Sequence, residues 1–450
     1  MGCFSAPVTL PAAAPPGLAP PIYGGGLPGW GARGAFCSDP LGFYLRGFRQ
    51  HGPLFRTRQL GHLYHVMAGP EANDFIFQSN DLWDYALALA HFRENFSDRY
   101  LPQLNGPEHR SKRRRLSPAF KPAVLMQHFP AMHDTLVRRI DGLGGAPTDL
   151  RAFTRSLITA MTSTAFLQRD LPDGVDRWIA LFEHDLLRGG SMGSFRHLWY
   201  ARPSYRRNRG RVFAAIDAAL GASGAPKDGL VPDLIALMLA DASSGGSPPT
   251  REEVVHDVAM LYLAGSDSTS SVILWTLMFL DADPGWREEL RAELASFDPA
   301  RFTSLSDFPK LRATVTEVER LRPPFPTFGK ASNRDFAFAG MRVPRGAPII
   351  HALAVPHFME EIFPDPLRFR PARFIERPET ARNLGLFGGG AHACLGQPMA
   401  RIQETLAVAG IVARYDVVFD GTPRMDARFD GVTAPAQARL TARLVRRGRS

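Results

Sequence analysis

One long apolar segment constrains the fold of this chain more than any other feature. Thr250 and Glu253 have the capping-box arrangement, in which a hydroxyl and a carboxylate satisfy the first free backbone amides of a helix. No helix breaker follows until Asp283-Pro284, so the sequence predicts a helix of about 30 residues, or roughly 45 Å at 1.5 Å per residue. Its side chains are mostly apolar on every face, which is typical of a buried central helix. We therefore expect a fold that is built around this helix.

Helical periodicity predominates in the rest of the chain, and short β patterns occupy a smaller part of it. Alternating runs predict a hairpin around Leu60-Gly61, and the segments FAFAG and APIIHAL predict further strands. Apolar residues at three- and four-residue spacing predict helices near 106–119, 122–143, 148–167, 173–188, 204–221, 230–241, 285–296 and 308–321. We therefore expect a mostly α-helical fold with a smaller β-rich region.

The composition is that of a globular protein with a large core. The chain has 450 residues, of which 45% are hydrophobic, and a chain of this size can bury an extensive apolar interior. We predict a Pro/Gly-rich N-terminal segment at 1–45 and a single domain at 46–450, with β-rich parts near 53–70, 326–353 and 414–448.

Several classes of protein are excluded by sequence alone. No run reaches the 18 or so apolar residues that a membrane span requires, and the N-terminus lacks a basic stretch followed by an apolar one. We therefore expect a cytoplasmic protein without a membrane span. The net charge of +9 comes mainly from arginines spread over the whole sequence, so we expect no nucleic-acid partner.

A single cysteine in the glycine-rich stretch FGGGAHACLGQPMAR is the strongest chemical feature. The other cysteines, Cys3 and Cys37, are too distant in sequence to suggest a disulfide framework or a multi-cysteine metal site. The glycines Gly388–Gly390 would let the backbone approach a flat ligand closely, because they carry no side chain. A helix predicted from Leu395 onward would place Cys394 at its N-terminus, where free N–H groups stabilise a thiolate.

Three roles are open to this thiol. A buried inert cysteine would leave the glycines unexplained, and a nucleophile would need His392, which is only two residues away and has no clear orienting acid. Metal ligation is the third role, and a haem iron fits a single thiolate because a porphyrin supplies the equatorial ligands. The loose dinucleotide pattern that begins at Gly388 is set aside, because too few residues follow Ala393 for a βαβ unit.

The pattern F-G-x-G-x-H-x-C-x-G, from Phe387 to Gly396, resembles the haem-binding signature of the cytochrome P-450 family of haem-thiolate monooxygenases. The histidine at position 392 is similar to that of many soluble bacterial members. The resemblance implies a cytochrome P-450 fold, with the long helix over haem b (iron protoporphyrin IX) and Cys394 beneath it as the iron ligand. It also implies that His392 meets a haem propionate, and that Phe387 and Gly396 belong to the cofactor-binding loop.

Glu317 and Arg320 resemble the E-x-x-R pair that braces the core of this family near the haem loop. Residues three apart share a helix face, so the two can pair with each other and with Arg373, the candidate for a third member of the brace. The continuation Leu321-Arg-Pro-Pro324 resembles the family's ending of this helix. It distinguishes the pair from others at the same spacing, which are Glu288/Arg291, Glu319/Arg322 and Glu379/Arg382.

A second family landmark is basic. His109 and Arg113, at positions i and i+4, resemble the H-x-x-x-R pair that supplies cations to the haem propionates, and Lys330 stands where relatives usually carry another propionate arginine. Lys112 and Arg115 fall on another face of the same helix. The resemblance implies that these outward cations dock an acidic electron carrier, a ferredoxin or a flavodoxin.

A third landmark lies within the long helix, where the segment from Ala264 to Thr269 resembles the A-G-x-D-T-T pattern over the distal face of the haem. It implies catalytic roles for Asp267, Ser268 and Thr269 in delivering protons to dioxygen. Gly265 would leave room for dioxygen beside a loosened helix. Ser268 departs from the usual threonine, and without the β-methyl group its hydroxyl rotates more freely.

The resemblance implies a monooxygenase that hydroxylates or epoxidises a lipophilic small molecule with O2 and two electrons from a redox partner. Candidate classes of substrate are terpenoids, steroids, fatty acids and polyketides. A peroxide-driven peroxygenase is the alternative activity, and a non-catalytic haem-binding protein is the alternative without turnover. The expected pocket wall includes Met260, Leu263, Ala264, Phe325, Phe328, Val432, Thr433 and residues between Trp83 and Phe96.

Overall fold

Helices make up most of the regular structure. The structure, a computed structural model, describes residues 19–24, 31, 32, 35, 36, 39–59, 62–190, 195–221, 235, 249–299, 302, 304, 307–429, 431–437 and 439–448. The helices are α1 (Pro40–His51), α2 (Pro70–Gln78), α3 (Tyr85–Ala88), α4 (Ala90–Arg93), α5 (Gly106–Leu116), α6 (Pro122–Leu125), α7 (Phe129–Asp141), α8 (Leu150–Leu167), α9 (Val175–Gly190), α10 (Arg196–Tyr200), α11 (Pro203–Gly221), α12 (Arg251–Ala282), α13 (Pro284–Leu294), α14 (Pro309–Leu321), α15 (Arg373–Glu376) and α16 (Gln397–Arg414). The mostly α-helical fold is confirmed.

The strands form small sheets. They are β1 (Leu54–Gln59), β2 (His62–Ala68), β3 (Thr148–Asp149), β4 (Phe328–Ala331), β5 (Phe336–Phe338), β6 (Met341–Val343), β7 (Pro348–Ala352), β8 (Tyr415–Phe419), β9 (Ala427–Phe429), β10 (Thr433–Pro435) and β11 (Thr441–Arg446). The largest sheet has the order β1-β2-β7-β4, with β2 and β7 parallel and the other pairs antiparallel. The remaining sheets have the orders β3-β11-β8, β5-β6 and β9-β10.

The central helix α12 has 32 residues and the predicted start and end. The Thr250 hydroxyl accepts the Glu253 N–H, and the Glu253 carboxylate accepts the Thr250 N–H, so the capping box is complete. Asp283 caps the other end, immediately before Pro284. The prediction of a long helix between these signals is confirmed.

Packing on every side of α12 fixes the elements that carry the site. Helices α8, α11, α14 and α16 all contact it. Trp275 of α12, Leu157 of α8 and Leu406 of α16 have no exposed surface, and complete burial of one such side chain contributes about 1.5–3 kcal/mol. The core therefore holds α8 and α16 in fixed positions against α12.

Other predicted elements are present with shifted bounds. The segment predicted as one helix at 122–143 is divided into α6, a 3-10 turn and α7, because Pro122 and Pro130 each restart the helix at a position that needs no N–H donor. The turn at Leu60-Gly61 lies outside the described residues, as does the helix predicted near 230–241 apart from Ile235.

Candidate functional site

The loop around Cys394 is held by backbone geometry and by α2. Gly388 and Gly390 have φ values of 69° and 68°, in the left-handed region that glycine tolerates best. The Cys394 N–H donates to the Phe387 carbonyl at 2.7 Å. The Asn80 side chain, which follows α2, accepts the Ala391 N–H at 2.6 Å. These contacts fix the turn that presents the cysteine.

The structure corrects the reason for two of the glycines. A Cβ on Gly389 would lie 2.4 Å from the Phe77 ring, and a Cβ on Gly390 would lie 2.1 Å from the Asn80 amide oxygen. The close approach at these positions is therefore to the protein's own α2 region and not to a flat ligand. At Gly388 the nearest atoms are 4.0 Å away, so its constraint is the left-handed backbone alone.

The Cys394 thiol lies at the start of α16. The helix begins at Gln397, two residues later than predicted, and the backbone N–H groups of Gly396 and Gln397 donate to the sulfur. Cys394 has exposed surface, yet burial among protein atoms raises the pKa of the thiol, against the effect of those N–H groups and of Arg113. Surface and burial coexist because the sulfur faces a space inside the protein. A thiolate there needs a cation beside it.

A column of stacked rings lies next to the loop. The His392 ring stacks on His109 of α5 with 3.7 Å between centroids, and on Tyr85 of α3 with 3.5 Å. The Lys330 ammonium of β4 donates to the Tyr85 hydroxyl at 3.0 Å. The structure thus brings three predicted cofactor-binding residues together from α5, β4 and the loop, and it adds Tyr85. Tyr85 lies in the segment from Trp83 to Phe96, but no sequence signal singles it out.

This cluster is rich in basic groups and lacks an acid. Burial lowers the pKa of Lys330 to about 8, and burial with the neighbouring His109, Lys330 and Arg113 lowers the pKa of His392 to about 2. Burial, followed by Arg113 and Arg110, lowers the pKa of His109 to about 4. Among the described residues, no carboxylate pairs with Lys330 or Arg113. Such a cluster is built to receive an anion from outside the chain.

The residues present fit a haem. Cys394 offers a thiolate to the iron, and the basic cluster offers cations and donors to two propionates. In the middle of α12, Ala264 is exposed although Leu263 and Ser266 beside it are buried. Phe328 of β4 is also exposed, at 38%. An apolar opening in the middle of a buried helix is where a flat apolar ring would lie.

Asp267 and Ser268 point to different partners. The Asp267 carboxylate pairs with the Arg155 guanidinium of α8, with 2.8 Å between the second nitrogen and oxygen. The Ser268 hydroxyl donates to the Ala264 carbonyl at 2.7 Å, so it offers its lone pairs and not its proton to the distal space. Thr269 is buried. Arg155 was not predicted, because nothing in sequence distinguishes it from the many other arginines.

The brace is fully buried and fully paired. Glu317 and Arg320 have no exposed surface, and they form two hydrogen bonds of 2.8 and 2.9 Å. Arg373 donates to Glu317 at 3.1 Å, and the Arg370 N–H donates to it at 2.9 Å. Arg320 also donates to the carbonyls of His357 and Pro366.

The other pairs at the same spacing behave differently. Glu288 is 56% exposed in its side chain where it meets Arg291, so this pair lies at the surface. Glu319 binds Arg401 and not Arg322, and Glu379 meets Arg377. Context around Leu321–Pro324 therefore separated the Glu317/Arg320 pair from three spacings that do not form a buried pair, although Glu319 is itself buried.

The expectation for Lys112 is wrong. Its ammonium is 4% exposed and pairs with Asp257 of α12 at 2.7 Å, while also donating to the Arg99 carbonyl. Arg115 is half-buried, and the exposed cations of α5 are Arg110 and Arg114. The error arose because helical spacing shows which residues share a face but not whether a distant helix covers that face.

The predicted pocket residues lie on three adjoining segments. The Thr433 N–H donates to the Pro324 carbonyl at 2.9 Å, and the Thr433 carbonyl accepts the Trp275 indole N–H at 3.3 Å. Strand β10 therefore lies between α12 and the segment of Phe325 and Phe328, whose ring centroids are 5.7 Å apart. Three of the predicted lining residues are almost wholly covered, namely Met260, Leu263 and Val432.

Fold and site together define a mostly helical protein, built around a buried helix, in which a cysteine thiol lies near a cluster of basic side chains. Residues 39–441 match the cytochrome P450 family, and the chain belongs to that family. It is therefore a haem-iron monooxygenase. In the described residues, no helix is both long enough and apolar enough to cross a membrane.

Individual relatives cover most of the chain. The sterol 14α-demethylase of Mycobacterium tuberculosis is 25% identical over 416 residues, which is 89% of this chain and 92% of the relative. The cyclooctat-9-en-7-ol 5-monooxygenase of Streptomyces melanosporofaciens is 26% identical over 418 residues, covering 87% and 88%. The structure of the retinoic acid-bound cyanobacterial CYP120A1 superposes with a TM-score of 0.82 at 23% identity, over 97% of this chain and 100% of that one. The last comparison shows that the fold is shared.

Proposed function

We propose that this cytochrome P450 hydroxylates or epoxidises a lipophilic small molecule, with haem b as cofactor and a ferredoxin or flavodoxin as electron donor. The observation that carries the proposal is the thiol of Cys394 beside a basic cluster without an acid. That combination suits an iron porphyrin with two carboxylates. Cytoplasmic location stays a prediction from sequence.

Each part of the site has a role toward the cofactor. Cys394 would bind the iron, and the Gly396 and Gln397 N–H groups that reach its sulfur would spread the thiolate charge. Propionates would take the place of the missing acid among His109, Arg113, Lys330, His392 and Tyr85. Phe387 stacks under the Arg401 guanidinium, 5.0 Å from its centre, and so stabilises the start of the loop. When bound, the haem supplies dioxygen activation, which an anionic sulfur ligand favours.

On the distal side, α12 provides proton handling. Asp267 holds a carboxylate at the helix surface toward α8, and Ser268 turns its lone pairs toward the space beside Ala264. A proton that leaves Asp267 can be accepted by a water that Ser268 orients. Thr269 is buried next to them, and we assign it a supporting role in the same turn of helix.

The substrate class follows from the lining. Ala264, Phe325 and Phe328 present apolar or aromatic surface, and such a wall favours ligands with few polar groups. The names of the two relatives specify a sterol and cyclooctat-9-en-7-ol, which are both cyclic alcohols. We therefore place terpenoids and steroids ahead of fatty acids and polyketides.

Exposed arginines on α5 suit an acidic electron carrier. Arg110 and Arg114 are both exposed, on the helix that also carries His109 and Arg113. Charge reversal at Arg110 and Arg114 should raise the KM for ferredoxin several-fold, with a steep dependence on salt. Arg207→Glu on α11, an exposed arginine on another helix, is the matched control and should leave the KM unchanged.

The test is a screen of terpenoids, steroids, fatty acids and polyketides for the absorption shift that a ligand causes when it displaces water from haem iron. Ligands that shift the spectrum are then incubated with ferredoxin, its reductase and NADPH, or with hydrogen peroxide alone. Oxygenated product that needs the electron donor supports the proposal. Product formed only with peroxide would identify a peroxygenase, and haem-loaded protein without product in either case would identify a binding protein.

A further inference from the structure

A second buried carboxyl group accompanies Asp267. Glu183 of α9 is 3% exposed, and one oxygen of its carboxyl group has no hydrogen-bond partner among the described residues. The Asp267 charge acts on it from α12, and the Arg155 and Arg151 charges act on it from α8. Helices α8, α9 and α12 all contact one another here. Glu183 therefore lies at the junction where Arg155 binds Asp267.

The two carboxyl groups at this junction differ in their pairing with arginine. Arg155 directs two of its five N–H groups at Asp267, whereas the Arg155 and Arg151 charges act on Glu183 without a hydrogen bond to its second oxygen among the described residues. Two ionised carboxyl groups close together in a buried site repel each other strongly, so one retains a proton. Burial, followed by the Asp267 charge, raises the pKa of Glu183 well above its ordinary value, although Arg155, Arg151 and the Asp267 N–H act in the opposite direction. This direction favours Glu183 as the carboxyl group that keeps the proton.

Further polar atoms lack partners on the two helices that carry Arg155 and Asp267. Within the described residues, the hydroxyls of Ser266 on α12 and Thr159 on α8 are buried and make no hydrogen bond. Ser266 precedes Asp267, and Thr159 lies one turn beyond Arg155. The Ser163 and Tyr262 hydroxyls, 3.1 Å apart, join the same two helices. Buried polar atoms without protein partners are typical sites of ordered water, and water bound at these hydroxyls would supply a route for protons to Glu183.

We propose that Glu183 holds a proton for Asp267 and reloads it during turnover, which makes Glu183 a positioning residue that acts through Asp267. The inference rests on the proposed monooxygenase function. In the step, the O–H bond of Glu183 breaks as an O–H bond forms on Asp267, whose proton then passes toward Ser268. Glu183 then regains a proton from bulk solvent, passed along ordered water so that each water gives up one proton and receives another. No electrons move, and the charge of the pair is restored.

The first test is infrared spectroscopy of the resting, haem-loaded protein in H2O and D2O. The difference spectrum between wild type and Glu183→Gln should contain a carboxylic acid C=O band that shifts on deuteration, and the subtraction cancels the bands of other buried acids such as Glu404, whose pKa is also raised by burial. Asp185→Asn removes a charge from the same helix, at a residue that pairs with Arg202 at 2.8 Å, and its difference spectrum should lack that band. A wild-type minus Glu183→Gln spectrum without a carboxylic acid band overturns the proposal. This measurement needs neither substrate nor turnover, so it stands if the proposed function fails.

The second test measures NADPH oxidation with ferredoxin and its reductase, without substrate, and the hydrogen peroxide released per NADPH. In Glu183→Gln the rate of NADPH oxidation, which depends on protons delivered to dioxygen, should fall on the order of 100-fold, the low end for loss of a proton donor. The hydrogen peroxide released per NADPH should rise. Glu183→Asp should recover part of the rate, and Asp185→Asn should equal wild type. The wild-type rate should fall at alkaline pH, where Glu183 loses its proton, and this fall should be absent in Glu183→Gln.

Haem content and the carbon monoxide spectrum separate this role from a structural one. Both should be the same in wild type, Glu183→Gln and Glu183→Asp. If Glu183→Gln loses haem, and Glu183→Asp recovers haem without restoring the pH profile, the residue only supports packing and the proposal is overturned. An unchanged rate and unchanged pH profile in Glu183→Gln, with normal haem content, also overturns it.

Discussion

Two buried clusters of carboxyl groups and arginine differ in how completely their polar groups are paired. In the first, Glu317 accepts hydrogen bonds from Arg320, Arg373 and the Arg370 N–H, and the remaining donors of Arg320 reach backbone carbonyls. In the second, around Asp267, the buried carboxyl group of Glu183 has an oxygen without a partner among the described residues. Both clusters combine carboxylates with arginine in the core, yet only one is closed.

The difference separates a structural cluster from a chemical one. A closed cluster cannot exchange a proton without losing a hydrogen bond, so it serves to hold α14 against the segment from His357 to Arg373. An open cluster leaves room for water and for a mobile proton. The Lys330 group, which also lacks an acid among the described residues, belongs to the open kind, since its partner would arrive with the cofactor.

Breaking the closed cluster should have the largest effect. Glu317→Ala leaves Arg320 and Arg373 as buried unpaired cations, which costs about 3–5 kcal/mol, so mostly haem-free or insoluble protein is expected. Glu288→Ala removes the glutamate of an exposed pair at the same spacing and should cost about 0–1 kcal/mol. Urea unfolding and haem content per chain measure both. Equal losses in the two variants would contradict the brace assignment.

Substitution of one glycine should destabilise the loop around Cys394. Gly390→Ala adds a methyl group 2.1 Å from the Asn80 amide oxygen at a φ of 68°, so it should cost about 3 kcal/mol through strain and collision together and lower haem retention. Gly421 has a φ of 86°, and no described atom lies within 4 Å of the position of a new methyl group. Gly421→Ala should therefore lower the free energy of unfolding by only about 1–2 kcal/mol. If both variants retain haem equally, contact with α2 does not shape the loop.

Next to Asp267 of the open cluster, substitutions of Ser268 test the proposed delivery of protons. Ser268→Ala removes the group that orients water, and a hydrogen bond worth roughly 1–3 kcal/mol shifts the partition between product and released peroxide by about one to two decades. Ser268→Thr should couple as well as wild type or better. Thr276→Val removes a hydroxyl that bonds Val272 on the same helix and should change nothing. An unchanged ratio in Ser268→Ala would move the role to Thr269, a bound water or the substrate.

The smallest effect is expected at Lys330. It concerns the pH dependence of the free energy of unfolding of haem-free protein. The folded pKa of Lys330, about 8, lies below the ordinary 10.5, so between these values the unfolded chain binds a proton that the folded chain has released. Stability should therefore rise with pH across that window, by about 1 kcal/mol after allowance for solvent. Lys330→Met should flatten this rise, and Lys310→Met at a surface pair with Glu289 should not. The midpoints of urea unfolding at several pH values measure this rise. If the rise persists in Lys330→Met, another group causes it.

The sequence alone predicts those helix ends and side-chain pairs that depend on residues close together in the chain. The capping box and the breaker at Asp283-Pro284 mark both ends of α12 because those signals act within a few residues. The pairing of Glu317 with Arg320 could be predicted for the same reason, because the two residues are three positions apart. In each of these features the interacting residues lie close together in the chain.

Contacts between distant segments were not foreseeable in this way. Lys112 meets Asp257, and Arg155 meets Asp267, across more than a hundred residues, and no periodicity encodes which helices cross. The glycines at 389 and 390 were ascribed to a ligand because Phe77 and Asn80, which require them, lie about three hundred positions earlier in the sequence. Tertiary packing decides such pairings.

The carbon monoxide difference spectrum of the reduced protein tests the central claim, that Cys394 binds haem iron as a thiolate. Wild type and Cys37→Ser should both give the spectrum typical of thiolate-ligated haem. Cys394→Ser should lose that spectrum, and the monooxygenase activity with it, in protein that still contains haem. A thiolate-type spectrum that survives in Cys394→Ser, or a wild-type spectrum typical of histidine-ligated haem, would contradict the assignment.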